Sequence, residues 1–308
     1  MEDAAIRRRP GAGLLAGAVD THIHACPHLN ARSLDVFDAV REAAEAGMAA
    51  IGLMDNFANT AGMAALANRQ LGHLGVEVLG GLIMEPPAGG ISAAAVEIAL
   101  GYGYGPGDGA RFISLPTHHT RNIARIEGRS PAFVEACLEI PETGPLPGDL
   151  PRILDLVAAA DVVFNTGHVA GAEAVRAVEA ARAAGIGRIL VPASHYDTDT
   201  VREIVSLGAV VEFSFFFVSH ATQVGLTHVD AARHRVPPVA APEMAGLIAA
   251  AGPDSAILNS DCGVFVLPPP VEGLREFLLL MREAGIAEAD LRRMTSDVPK
   301  RLFRLGAP

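Results

Sequence analysis

Two histidines stand two residues apart in Val19-Asp20-Thr21-His22-Ile23-His24, an apolar-flanked segment near the start of the chain. Side chains two apart on a strand project to the same side, so both imidazoles enter one space while Ile23 packs on the other face. Two neutral imidazoles held that close need a shared partner, and a divalent cation is the usual one. Taken alone, the pair reads as well as an exposed strand pair. It is not alone: His168 ends the run 162–168, His195 ends 189–195, and Asp261 ends 257–261. Each closes a different apolar run, so they meet only if the strands that carry them stand around a common axis.

Runs with strand character lie at 18–25, 49–55, 76–84, 111–117, 162–167, 188–194, 209–217 and 256–260. Between them, Ala-rich stretches with helical spacing cover 34–46, 93–100, 172–184, 199–206 and 271–283, and Gly47, Gly101, Gly185 and Gly285 end four of these. Eight strands alternating with helices mean a (β/α)8 TIM barrel or a doubly wound open sheet. The open sheet calls for a Gly-rich phosphate turn after its first strand, where His22-Ile-His24-Ala-Cys26-Pro27 stands instead. The glycine cluster at 101–109 follows a helix and precedes a strand, so it reads as a loop at the opposite end. A barrel gathers its chemistry at strand C-termini. There stand His22 and His24, Asp55, Glu85, His118 and His119, His168, His195 and Asp261, including six of the 11 histidines. The expected organisation is an N-terminal tail over 1–17 and one barrel domain over 18–308.

Asp20-Thr-His22-Ile-His24 on strand one, single histidines after strands five and six, and an aspartate after strand eight resemble the amidohydrolase superfamily. The ending Leu291-Arg-Arg-Met-Thr-Ser-Asp297-Val-Pro299-Lys-Arg301-Leu-Phe303 is similar to the last helix of phosphotriesterase-like and related metal-dependent hydrolases. The likeness spans about residues 18–305. It implies a (β/α)8 barrel holding one or two divalent metals, zinc first, with manganese, iron or nickel as alternatives. With His22 so near the start, no accessory β-sandwich is expected. Binuclear members bridge their metals with a carboxylated lysine or a glutamate, most often after strand four, but strand four ends Leu115-Pro-Thr-His-His119. Glu85 is the substitute bridge, or else a structural carboxylate before Pro86-Pro87. With a bridge, His195 joins the metal shell. Without one, the resemblance implies His22, His24, His168 and Asp261 on a single metal, with His195 acting on the water.

His118 and His119 are candidate substrate contacts, of which only one can point inward, and Tyr196 is a further candidate. Glu212 shares a strand face with Ser214, opposite Phe213, Phe215 and Phe217, and is expected inside the barrel. Cys26 and Cys262 flank the ligands as small thiols. The resemblance implies hydrolysis of an amide, cyclic amide, lactone or ester in a small molecule by a metal-activated water, with Asp261 carrying the proton. A metal-dependent decarboxylase or lyase, a deaminase, and a non-catalytic metal-binding barrel are the alternatives. A decarboxylase would want a cationic clamp, and no Arg ends a strand, although Arg121, Arg125 and Arg129 follow strand four. A deaminase typically has a Glu soon after the fifth-strand histidine, which Glu173 matches loosely.

Composition agrees with a folded enzyme. Of 308 residues, 50% are hydrophobic and 19% charged, which excludes a disordered chain. No run approaches the roughly 18–20 apolar residues of a membrane helix. The net charge of −11, with one basic cluster at Arg7-Arg8-Arg9, excludes a nucleic-acid groove. Three cysteines, Cys26, Cys137 and Cys262, read as free thiols in a reducing compartment, and with no apolar signal core the expected location is the cytoplasm. Long connections at 118–160 and at 218–255, the latter with His220, His228 and His234, are expected to shape the pocket. No heptad or repeat signals a homo-oligomer, which stays open.

Overall fold

The computed structural model describes residues 9–193, 195–225, 233 and 235–306. Arg7, Arg8, Ser194, His228 and His234 lie outside them. The strands are β1 (Val19–Ile23), β2 (Ala50–Leu53), β3 (Glu77–Leu79), β4 (Gly81–Ile83), β5 (Phe112–Ser114), β6 (Val163–Asn165), β7 (Ile189–Pro192), β8 (Val210–Ser214) and β9 (Ala256–Asn259). All neighbouring pairs run parallel, in the orders β1-β2-β3 and β4-β5-β6-β7-β8-β9. β3 and β4 are one expected strand divided at Gly80, whose carbonyl still accepts from Arg111 N–H at 2.7 Å. At the other seam, Asp261 N–H donates to the His22 carbonyl (2.9 Å) and His24 N–H to the Cys262 carbonyl (2.8 Å). Those bonds join the end of β9 to β1 and close a (β/α)8 barrel.

Period-two alternation sorts each strand between two cores. Ile113, Phe164, Ile189, Val191 and Leu258 belong to the large core between barrel and helices. Phe112, Val163, Leu190 and Ile257 join a smaller core inside the barrel with Leu79 and Ile83. The C-terminal helix Val298–Phe303 completes the inner core with Val298, Leu302 and Phe303. Arg111 and Arg188, each just before a strand, donate to the carbonyls of Phe303 (2.6 Å) and Leu302 (3.3 Å). This helix therefore plugs the N-terminal end of the barrel, leaving the C-terminal end for chemistry.

The long connections carry structure of their own: helices Arg121–Ile126, Pro131–Ala136 and Leu150–Ala160 in one, Ala241–Ala251 in the other. Ahead of β1, Ala12–Leu15 forms a single 3-10 turn with Leu14 and Leu15 buried, and Arg275 donates to the Pro10 carbonyl at 2.8 Å. The seventh expected strand stops earlier than its apolar run. Phe215–Val218 coil into a 3-10 turn, which ends the alternation and brings Phe216 and Phe217 to the cavity at the barrel mouth. No described helix is long and apolar enough to cross a membrane.

Candidate metal centre

β1 does not alternate as a regular strand would. Its register against β2 shifts between Asp20 and Ile23, the mark of a bulge. As a result Thr21 and His22 both reach Glu212 on β8: Thr21 Oγ1 lies 3.4 Å from Oε2, and His22 Nδ1 lies 3.0 Å from Oε1. Asp20, fully buried, accepts from the N–H groups of His22 (3.3 Å) and Ser260 (3.1 Å), and burial pushes its carboxyl up to about 7. The last ligand-type residue arrives through the barrel seam. Asp261 has φ +50°, a left-handed conformation that Asp tolerates better than most residues. Two residues on, Gly263 has φ +108°, and a Cβ there would overlap the His24 carbonyl oxygen, so only glycine fits.

His22, His24 and Asp261 thereby form one buried group whose ligand atoms all lie within 4.8 Å of one another. Asp261 Oδ1 is 3.3 Å from His22 Nε2 and 3.0 Å from His24 Nε2. The opposite ring nitrogens decide what this means. His24 Nδ1 donates to the Met54 carbonyl (3.0 Å), and His22 Nδ1 donates to Glu212. In the neutral ring of His24, Nε2 then carries a lone pair, aimed at a carboxylate oxygen that is itself an acceptor. Such a contact is repulsive unless a positive charge sits among the three atoms. Burial pushes His24 down to about 4, so it is neutral near pH 7. Burial also opposes a charge on His22, but Asp261 and Glu212 override it and hold that ring up at about 9, so positive charge is favoured where its Nε2 meets Asp261. Asp261 stays ionised: burial raises it, and the two imidazoles bring it below its ordinary range. Rings anchored by a carboxylate and a carbonyl, with their free nitrogens on one carboxylate oxygen, fit a divalent cation.

The other expected site residues fall in different places. His168 lines the same cavity without joining the group of three, and burial with the nearby His118 pushes it to about 3. His118 lines the cavity, its Nδ1 3.4 Å from Glu127. His119 turns away, with Nδ1 on Glu85 Oε2 at 2.6 Å and its ring against Phe133. Glu85 is fully buried and also accepts from the N–H groups of Thr117 (2.7 Å) and His118 (2.5 Å). His195 stands across Phe217 from His168, with φ +62° and Nε2 3.2 Å from the Pro237 carbonyl. Tyr196 is buried, its hydroxyl donating to the Val169 carbonyl at 2.8 Å. Burial holds the Cys262 thiol well above its ordinary value.

Sequence reading missed Arg32 and Asn56, which line the cavity from the loops after β1 and β2. It also missed the part Met54 plays, since a backbone carbonyl carries no signal in residue type. The chain's single lysine, Lys300, is bonded to Ser296 Oγ (2.8 Å) beside the starts of β2 and β3. No lysine can therefore bridge metals at the barrel mouth.

Comparison with solved structures supports the fold. The chain superimposes on the organophosphorus hydrolase from Deinococcus radiodurans with TM-score 0.56 and 16% identity, covering 95% of this chain and 93% of that one. A mutant of a PTE-like lactonase from Deinococcus radiodurans gives 0.55 at 17% identity, over 95% and 97%. An amidohydrolase from Pseudomonas aeruginosa gives 0.56 at 11%, over 96% and 98%. The resemblance to the amidohydrolase superfamily thus holds at the level of fold. No curated protein matches the chain. Residues 17–212, more than half of the chain, match the model of a family of unknown function, DUF6282, and the chain belongs to that family.

Proposed function

We propose that the chain is a metal-dependent hydrolase of a small-molecule amide, cyclic amide, lactone or ester, with His22, His24 and Asp261 holding one divalent cation. The observation that carries this reading is the meeting of two Nε2 atoms and one carboxylate oxygen while both Nδ1 atoms are already engaged. Imidazole and carboxylate donors suit zinc, with manganese, iron or nickel as alternatives. When bound, the cation supplies Lewis-acid polarisation of a carbonyl and a water acidic enough to attack at neutral pH. Two observations favour one ion over two: Lys300 is at the far end, and Glu85 is occupied by the backbone of Thr117 and His118.

The chain's own groups have separable tasks. Glu212 and the Met54 carbonyl fix the two rings. Asp261, ionised with Oδ1 turned to the imidazoles, takes the proton of the attacking water on Oδ2 and returns it to the leaving group. Burial opposes a charge on His118, but Glu127 outweighs it and raises the ring above its ordinary value, so it can donate to the carbonyl oxygen as negative charge develops. Phe216, Phe217 and Val236 exclude water from the mouth. The test is a panel of lactones, amides and aryl esters on zinc-loaded protein. Asp261→Asn is expected to keep its metal and lose about 10²–10⁴-fold in turnover; near-normal turnover overturns the assignment.

A further inference from the structure

The turn after β2 fixes the place of Asn56. Phe57 N–H donates to Asp55 Oδ1 at 2.7 Å, and the Thr60 hydroxyl closes the loop on the Leu53 carbonyl at 2.8 Å. Two residues before Asn56, the Met54 carbonyl holds the ring of His24. Asn56 is 3% exposed and lines the cavity with His24, Thr117 and His118. Its amide is oriented by Thr117, whose hydroxyl lies 3.1 Å from Asn56 Oδ1 and 3.1 Å from Glu85 Oε1. That Glu85 oxygen already accepts from the N–H groups of Thr117 (2.7 Å) and His118 (2.5 Å), which fill its two lone-pair directions. The hydroxyl proton is therefore left to Asn56 Oδ1, and Nδ2 faces away from Thr117. Nδ2 has no hydrogen-bond partner among the described residues, and unlike Arg32 Nε it is not sealed from solvent. Its N–H groups are thus open to the cavity that Asn56 lines.

We infer that Asn56 contacts the substrate: with the His118 ring, its Nδ2 donates to the acyl oxygen that turns negative when the carbonyl carbon is attacked. The inference rests on the metal-dependent reading of the same cavity. One carboxylate, Glu85, sets both donors: it holds the N–H of His118, and it holds the N–H of Thr117, whose hydroxyl fixes Asn56. A hydrogen bond to an ionised acceptor is roughly twice as strong as one to a neutral group. A donor fixed in place beforehand therefore favours the charged oxygen over the neutral carbonyl and costs no reorganisation as the charge forms.

The test uses zinc-loaded full-length protein and two probes. Methylphosphonate has tetrahedral anionic oxygens that imitate the attacked acyl carbon, whereas azide is a zinc-binding anion without them. Both are titrated calorimetrically, with zinc content read on the same samples. Asn56→Ala is expected to weaken methylphosphonate about tenfold, a loss of about 1.4 kcal/mol, and to leave azide unchanged. Thr117→Val frees the amide to turn, and is expected to weaken methylphosphonate about threefold or more in the natural chain but not in the Asn56→Ala background. Zinc-loaded protein that binds no methylphosphonate overturns the Asn56 contact alone, as does an Asn56→Ala variant that keeps its affinity or loses both probes alike. Should Asn56→Ala not fold, unchanged methylphosphonate affinity in Thr117→Val overturns it. A chain that takes up no zinc overturns the metal reading and the contact together.

Discussion

At the scale of the residue, His22, His24 and Asp261 were legible because their types are few and their positions are strand ends. What holds them was not. Glu212 could be placed inside the barrel from alternation, but its bond to His22 joins residues 190 apart and depends on a bulge in β1. Arg32 was passed over because it ends no strand, and only the folded loop brings it to the cavity. The tie from Glu212 has a measurable consequence. Glu212→Gln leaves His22 in place with a weaker hold on Nδ1, and zinc affinity is expected to fall about 10–100-fold in a competition titration. Unchanged affinity would show that Glu212 does not orient the ring.

At the scale of the element, the loop after β5 is organised by one carboxylate. Glu85 gathers the N–H groups of Thr117 and His118 and the ring of His119. Both roles foreseen for Glu85, bridge and structural carboxylate, follow from its place after the third expected strand, and choosing between them needs the loop's conformation. Glu85→Gln sets an amide donor among donors and is expected to cost about 1–3 kcal/mol in denaturant unfolding while the metal content stays at one ion. Loss of metal without loss of stability would favour the bridge. Burial opposes the charge on Glu85, but His119 and His118 outweigh it and hold the carboxyl below its ordinary 4.5. The unfolded chain then binds more protons in that range. The stability from Glu85 is therefore present above pH 4.5 and lost as pH falls through the lower folded value. Glu85→Gln removes that part of the acid limb, which unfolding curves on metal-free protein below pH 4.5 will read.

At the scale of the whole molecule, the barrel was legible from the count of alternating runs and from the end at which chemical residues gather. Two features were hidden. The division of the third expected strand at Gly80 is marked only by the Gly80-Gly81 pair within the run 76–84, which the strand reading passed over. The plug formed by Val298, Leu302 and Phe303 reads in sequence as the apolar face of any helix. Phe303→Ala opens a cavity at the closed end, with an expected loss of about 3–5 kcal/mol in unfolding free energy and full retention of metal. Loss of metal in that variant would mean that the two ends of the barrel are coupled. The central claim is the cation itself, and metal content per chain by plasma mass spectrometry, on protein purified without added metal or chelator, tests it most directly. The account predicts close to one divalent ion per chain, and close to none in His24→Ala. No metal in the natural chain, with no uptake of added zinc or manganese, would contradict it.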